Sequence, residues 1–102
     1  MTEKEQKVFD FLERSYKSLI KESLKDSDQL SSEQEFKKLY PKEFIINRVN
    51  EFNSIIRGIT REDISKESYQ KLSRYFLKLH ALILIAKKLY IKPEEFPNIE
   101  TL

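Results

Sequence analysis

The stretch that decides the fold runs from Ser65 to Ile91 and reads SKESYQKLSRYFLKLHALILIAKKLYI. Its apolar and aromatic side chains recur at alternating intervals of three and four residues, at Tyr69, Leu72, Phe76, Leu79, Ile83, Ala86 and Tyr90. This spacing places them on one face of an α-helix about 40 Å long. Because an isolated helix cannot bury such a stripe, the rest of the chain must supply helices that cover it.

The N-terminal region predicts a first helix. Thr2 can cap it, and Glu5 follows at the spacing of a capping box. The apolar stripe of this helix consists of Val8, Phe9, Leu12, Tyr16, Leu19, Ile20 and Leu24. Phe11 lies off the stripe, so we expect it at an edge or exposed to solvent. The helix should end near Lys25, where a polar loop begins.

A second capping box, at residues 32–35, predicts a short helix whose core side chains are Phe36, Leu39 and Tyr40. Pro41 should end this helix and begin the next one.

The third predicted helix runs from Pro41 to Arg57. Its core line is Ile45, Val49, Phe52 and Ile56. Gly58, the only glycine of the chain, stands where a left-handed residue commonly ends a helix.

The composition agrees with a single all-helical domain. The chain has 102 residues, of which 39% are hydrophobic and 35% charged, with one Gly and three Pro, too few turn residues for a sheet protein. We therefore predict an all-α, antiparallel up-and-down four-helix bundle over residues 1–92, with one short helix, followed by a C-terminal tail at 93–102.

Nothing in the sequence indicates catalysis, a metal or another cofactor. Cysteine is absent, and the single histidine, His80, has only apolar residues at the helical spacings where a second metal ligand would stand. The carboxylates alternate with lysines as on a solvated surface, and no phosphate-binding loop occurs. The polar N-terminus does not suit a signal peptide, and the apolar run 81–86 is too short for a transmembrane segment. The lack of cysteine is compatible with a cytoplasmic protein.

Arg48 projects among apolar residues of the third helix. A charge there must reach solvent along its stem or pair with a carboxylate or carbonyl group. We expect a structural role for it rather than direct contact with a partner.

The outer face of the last helix is the predicted partner-binding site. Six basic residues and no acidic residue lie between Ser68 and Pro93. The candidates are Lys71, Arg74, Lys78, Lys88 and Lys92, the apolar residues Leu82, Ile85 and Leu89, and Phe96 and Ile99 of the tail. One interpretation is a solvated face whose apolar members are covered by the first helix or by the tail. The other is a basic rim around an exposed apolar strip that docks onto a protein groove or a membrane.

Three short segments carry a resemblance to a known family. They are Ile46-Asn47-Arg48 before an apolar residue, Tyr69-Gln70 at the start of an amphipathic helix, and Leu89-Tyr90 near its end. With its size, basic character and lack of cysteine, the chain resembles the immunity proteins that protect producers of pediocin-like (class IIa) bacteriocins. The likeness covers roughly residues 41–91.

The resemblance implies a fold and a function. The fold is an antiparallel four-helix bundle. The function is non-catalytic: the protein binds a mannose phosphotransferase permease that has engaged a bacteriocin, from the cytoplasmic side, and holds the pore shut. Recognition is associated with the C-terminal half, here the basic helix and the tail, and peripheral membrane contact is a further expectation.

Two other classes of function remain open from the sequence. A helical regulatory or nucleic-acid-binding module would place the last helix against phosphates, but the apolar run 81–86 does not suit a helix that enters a DNA groove. A structural protein would dimerise through Leu82, Ile85 and Leu89.

Overall fold

A computed structural model describes residues 2–16 and 33–101. This part of the chain is helical and holds no strand. Its elements are α1 (Glu3–Ser15), α2 (Glu33–Leu39), α3 (Lys42–Gly58), α4 (Lys66–Leu89) and a 3-10 turn (Pro93–Glu95). Over these residues the predicted all-α class is confirmed, with four helices of which one is short.

The first helix begins as predicted. The Thr2 hydroxyl accepts a hydrogen bond from the Glu5 backbone N–H at 3.0 Å and donates one to the Asp63 carbonyl at 2.9 Å. The second contact ties the start of α1 to the loop between α3 and α4. The Glu5 carboxylate also accepts a hydrogen bond from the Ser68 hydroxyl at 3.1 Å, which joins α1 to α4.

Some of the predictions for the N-terminal third fall outside the described residues. These are the stripe positions Leu19, Ile20 and Leu24, the end of the first helix near Lys25, and the capping residue Ser32.

The expectation for Phe11 was wrong. Phe11 is fully buried, with its ring centroid 5.1 Å from that of Tyr75 and 6.3 Å from that of Phe52. Phe9, placed on the predicted stripe, is only half-buried, with the Lys71 Nζ 5.4 Å from its ring centroid. Helix α1 packs against α3 and α4 at once, so its buried arc is centred between them, on Val8, Phe11, Leu12 and Ser15.

The two central helices follow their predicted core lines with one exception each. Phe36 and Tyr40 of the α2 region are buried, whereas Leu39 is exposed because it lies at the rim of a helix only two turns long. In α3, Ile45, Val49 and Phe52 are fully buried and Ile56 is half-buried.

The expected left-handed glycine does not occur. Gly58 lies within α3. Of the described residues, only Lys92 has a positive φ, of 60°. The helix ends instead at Ile59, which is extended. The loop then closes through a hydrogen bond from the Thr60 N–H to the Asp63 carboxylate at 2.9 Å. Hydrogen bonding from this N–H and the nearby Lys4 ammonium hold the pKa of Asp63 below its usual value.

Helix α4 is one unbroken helix of 24 residues, as predicted. The Ser65 hydroxyl caps it by accepting a hydrogen bond from the Ser68 N–H at 3.2 Å. Its buried positions are Ser68, Leu72, Tyr75, Leu79, Leu82, Ile83 and Ala86. At 100° per residue, the centre of this arc is rotated by about 40° from the predicted stripe, toward Tyr75 and Leu82.

The helix ends show how the elements are arranged. Helices α1 and α4 both begin beside the loop at which α3 ends, since Thr2 contacts Asp63 and Glu5 contacts Ser68. At the other end of the molecule, Lys42 at the start of α3 donates to the Ile91 carbonyl, just after α4, at 3.0 Å. Consecutive helices α3 and α4 therefore run in opposite directions.

Within the described ranges, no helix combines the length and the hydropathy needed to traverse a lipid bilayer.

The packing of α1 yields a first prediction. Phe11→Ala removes a fully buried ring and should lower the free energy of unfolding by about 3–5 kcal/mol. Phe9→Ala, its matched control two residues away, should cost well under half as much because Phe9 is half-buried. Urea unfolding followed by circular dichroism measures both. Equal losses would contradict the rotation of α1 described here.

Candidate functional site

The outer face of α4 carries large apolar side chains that the other helices of residues 2–16 and 33–101 leave exposed. Leu77 is 64% exposed, Leu84 51% and Ile85 42%. With the exposed Ala81 they lie on one side of the helix, at intervals of four, three and one residues. We call these four residues the outer strip. Contiguous apolar surface of this kind is typical of binding sites.

Basic side chains border the outer strip at both ends. Arg74 is exposed and Lys78 half-buried at one end, while Lys87 and Lys88 are exposed at the other. These four residues form the basic rim. Since no acidic residue occurs between Ser68 and Pro93, the rim has no carboxylate partner on α4 itself beyond its first turn.

The two remaining basic candidates are placed differently. Lys71 forms an ion pair with Glu67 at 3.3 Å and lies over the Phe9 ring, so it takes part in contacts within the fold. Lys92 is exposed, but it stands beyond the end of α4 in the left-handed conformation that turns the chain into the tail.

Two predicted apolar members of the site face inward. Leu82 is only 3% exposed, and Leu89 is half-buried against the core. The reason is the rotation of α4, which brings these positions between its neighbours. Leu77 and Leu84 take their place on the outside. Sequence reasoning missed both, although their seven-residue spacing, shared with Ile91, marks a second apolar line on the helix.

The tail folds back onto the bundle, so Phe96 and Ile99 are not free for a partner as the sequence had allowed. Phe96 is 4% exposed and its ring centroid lies 6.0 Å from that of Tyr90. Ile99 is half-buried against the core. Burial of these apolar side chains favours the folded-back position.

Asn53 holds the tail by its main chain. Its side-chain amide donates to the Asn98 carbonyl at 2.8 Å, and its side-chain oxygen accepts from the Glu100 N–H at 2.7 Å. Arg57 donates to the Glu100 carboxylate from Nε at 3.1 Å and from Nη2 at 2.9 Å. The role of Asn53 was missed because its partners lie more than forty residues away along the chain.

A second attachment lies at the start of the tail. The Lys42 Nζ contacts the Glu95 carboxylate at 2.6 Å and lies 5.9 Å from the centroid of the Phe96 ring. Hydrogen bonding to Lys42, together with its charge, holds the pKa of the Glu95 carboxyl below its usual value.

Arg48 makes contacts that agree with the structural role expected for it. Its guanidinium pairs with Glu51 at 3.2 Å and lies 4.9 Å from the centroid of the Phe44 ring. Glu51 also pairs with Arg14 at 3.1 Å, so the charges of α1 and α3 are linked. The neighbouring Tyr75 hydroxyl is deeply buried, which raises the pKa of Tyr75 to about 12.

Metal-binding side chains do not cluster in the described part of the chain. No cluster of three or more His, Cys, Asp or Glu side chains that could hold a metal lies within residues 2–16 and 33–101. His80 is exposed, with its ring stacked on Phe76 at a centroid distance of 5.7 Å. What the site offers chemically is an apolar surface inside a positive border.

Comparison of the chain with protein-family models, with curated proteins and with solved structures gave no match in any of the three. The outer face of α4 is therefore interpreted from its own geometry.

The attachment of the tail can be tested at Asn53. Asn53→Ala leaves the Asn98 carbonyl and the Glu100 N–H without this partner and should lower the free energy of unfolding by about 1–3 kcal/mol. Hydrogen exchange at the Glu100 amide should become faster. Asn50→Ala, an exposed position on the same helix, should change neither quantity. Unchanged exchange in Asn53→Ala would contradict the attachment.

The Lys42–Glu95 pair predicts a pH effect. Because the folded-state pKa of Glu95 is lowered, the pair stabilises the fold above the ordinary carboxyl pKa and is lost as pH falls through the lowered value. An NMR titration of Glu95 should give a pKa below the reference value of 4.5, and Lys42→Met should move it back toward that value. Lys38→Met serves as the control on the exposed side of α2. A Glu95 pKa unaffected by Lys42→Met would refute the pairing.

Proposed function

We propose that this protein is a cytosolic, non-catalytic immunity protein of the class that protects producers of pediocin-like bacteriocins. It binds a membrane permease of the mannose phosphotransferase type, once a bacteriocin has engaged it, from the cytoplasmic side and keeps the pore closed. The observation that carries the proposal is the outer strip of α4 within its basic rim. It lies on the helix that carries two of the three segments of the family resemblance.

The energetics of the outer strip favour a binding role. Leu77, Leu84 and Ile85 are each between 42% and 64% exposed, so water contacts a large part of every one of them. Covering an apolar side chain fully contributes roughly 1.5–3 kcal/mol. A partner that covers these three can recover a large share of that energy. The basic rim then selects for partners with negative charge around the contact.

Contacts of the tail within the described residues favour an ordered molecule behind this face. The tail is held to α3 by Asn53 and Arg57, and its start is held by Lys42. A surface that is already ordered loses less conformational entropy on binding than a flexible one. Blocking a pore by binding alone needs such a surface and no reactive group.

The order of the helices is the finer part of the same proposal. The family resemblance implies an antiparallel up-and-down bundle. The opposed directions of the consecutive helices α3 and α4 support this order. Helices α1 and α4 begin at the same end, whereas the first and fourth helices of an up-and-down bundle run in opposite directions, so this pair does not support the order.

The two alternative functions gain less from the geometry. A nucleic-acid reader needs polar side chains along the centre of its exposed helix, where this helix has Leu77, Ala81 and Leu84. Dimerisation through Leu82, Ile85 and Leu89 is less favoured because Leu82 and Leu89 face the core.

The immunity function is tested by expression in a bacteriocin-sensitive host, followed by challenge with a panel of pediocin-like bacteriocins. The wild-type chain should protect against at least one of them. Leu84→Glu should abolish that protection by placing a charge in the outer strip. Leu39→Glu, at an exposed leucine of α2, should retain it.

The possible results of this challenge separate the site from the function. A host that stays sensitive to every bacteriocin of the panel speaks against the immunity function. Protection that survives Leu84→Glu, with circular dichroism showing both variants folded, speaks against the outer strip and leaves the function standing.

A further inference from the structure

The charge of the chain is divided between α4 and the rest. Residues 68–93 hold six basic and no acidic side chains, and the other residues hold 13 basic and 17 acidic ones. The protein thus has a positive side at α4 and a net negative remainder. In front of an anionic surface, such a molecule is oriented with α4 forward and its remainder away.

The outer strip is straight and convex. Leu77 and Leu84 lie two helical turns apart, about 10 Å along the axis. Ile91, 83% exposed, follows at the same interval just beyond the helix. Arg74 and Lys78 border one end of the outer strip, and Lys87 and Lys88 the other. An amphipathic helix with cations beside its apolar side is typical of binding in the plane of a membrane interface.

A second copy of the chain fits this face poorly. Two basic rims would be brought together and would repel each other. An anionic lipid surface does not have this problem, because it carries the opposite charge and adapts to a convex helix.

We propose that the outer face of α4 docks onto the surface of an anionic lipid bilayer with the helix axis parallel to it. Leu77, Leu84 and Ile85 enter the boundary between head groups and acyl chains. The basic rim contacts the lipid phosphates. The inference rests on the proposed function only for the identity of the membrane, which is the inner leaflet beside the permease.

The test uses the purified full chain and vesicles, with neither bacteriocin nor permease present. Vesicles contain phosphatidylcholine mixed with phosphatidylglycerol, or phosphatidylcholine alone, and binding is measured by co-flotation. The wild-type chain should float with the anionic vesicles only, and raised salt should weaken the binding because exposed charges are screened.

Matched variants separate the face from net charge. Each basic residue near an anionic surface strengthens binding about fivefold, so Lys87→Gln with Lys88→Gln should weaken it about 25-fold. Lys7→Gln with Lys38→Gln makes the same change in net charge at exposed positions of α1 and α2, and should weaken binding less than about threefold. Leu84→Ser should cost about tenfold, and Leu39→Ser should have little effect.

The chain has no tryptophan, so Leu77→Trp introduces a single reporter in the outer strip. Its emission should resemble that of exposed tryptophan in buffer and shift to the blue on anionic vesicles. Leu39→Trp, the control, should not shift.

Several results would overturn the proposal. One is equal binding to both vesicle types, or no binding to either. Another is that the two double substitutions, at Lys87 and Lys88 and at Lys7 and Lys38, weaken vesicle binding equally. Emission of Leu77→Trp that is already blue-shifted in buffer would show that the outer strip is covered by the chain itself or by a second copy, and sedimentation would tell these apart. Vesicle binding without protection against bacteriocins would overturn only the proposed function, and protection without vesicle binding only this inference.

Discussion

The packing of Tyr75 between Phe11 and Phe52 sets the rotation of α4 about its axis, and the outer face follows from that rotation. The Tyr75 ring centroid lies 5.1 Å from that of Phe11, edge to face, and 6.0 Å from that of Phe52, stacked. Three helices therefore meet at one buried aromatic residue. At 100° per residue, Leu84 is on the opposite side of the helix from Tyr75. Burying the one side chain exposes the other.

Local signals in the sequence were sufficient for the helices themselves. The caps at Thr2 and Ser65 depend on hydroxyls that bond to backbone N–H groups three residues away, and the one at Thr2 forms as predicted. The length of α4 follows from an apolar repeat without Gly or Pro. The side of each helix that is buried depends on which neighbours it has. The repeat in α4 is compatible with rotations about 40° apart, and only contact with α1 and α3 selects one. For this reason Phe11 and Leu82 were placed too far out, and Leu84 was overlooked.

The tail shows a second limit of prediction from sequence. Two prolines and mixed polarity indicate an irregular segment, which is correct for its backbone. Its position depends on Asn53, whose side chain forms hydrogen bonds with a carbonyl and an N–H of the tail. A neighbouring main chain would make the same two kinds of hydrogen bond. No periodicity in the sequence predicts such a contact, because an asparagine in a helix has no feature in the sequence that identifies its partner. Leaving that amide unpaired after burial would be costly, so the tail and Asn53 stabilise each other.

The two proposals assign a single face to two successive contacts. A basic rim attracts the protein to an anionic leaflet, and a net negative remainder keeps the other faces turned away from it. Attraction of this kind is weak and carries little specificity. It would, however, restrict the search for a permease to the plane of the membrane, with α4 already at the depth where the permease meets lipid. In the proposed function, selectivity for a bacteriocin-engaged permease would come from differences in how Leu77, Leu84 and Ile85 are covered. An ordered strip is suited to detect such differences, because a flexible one would adapt to either state of the permease.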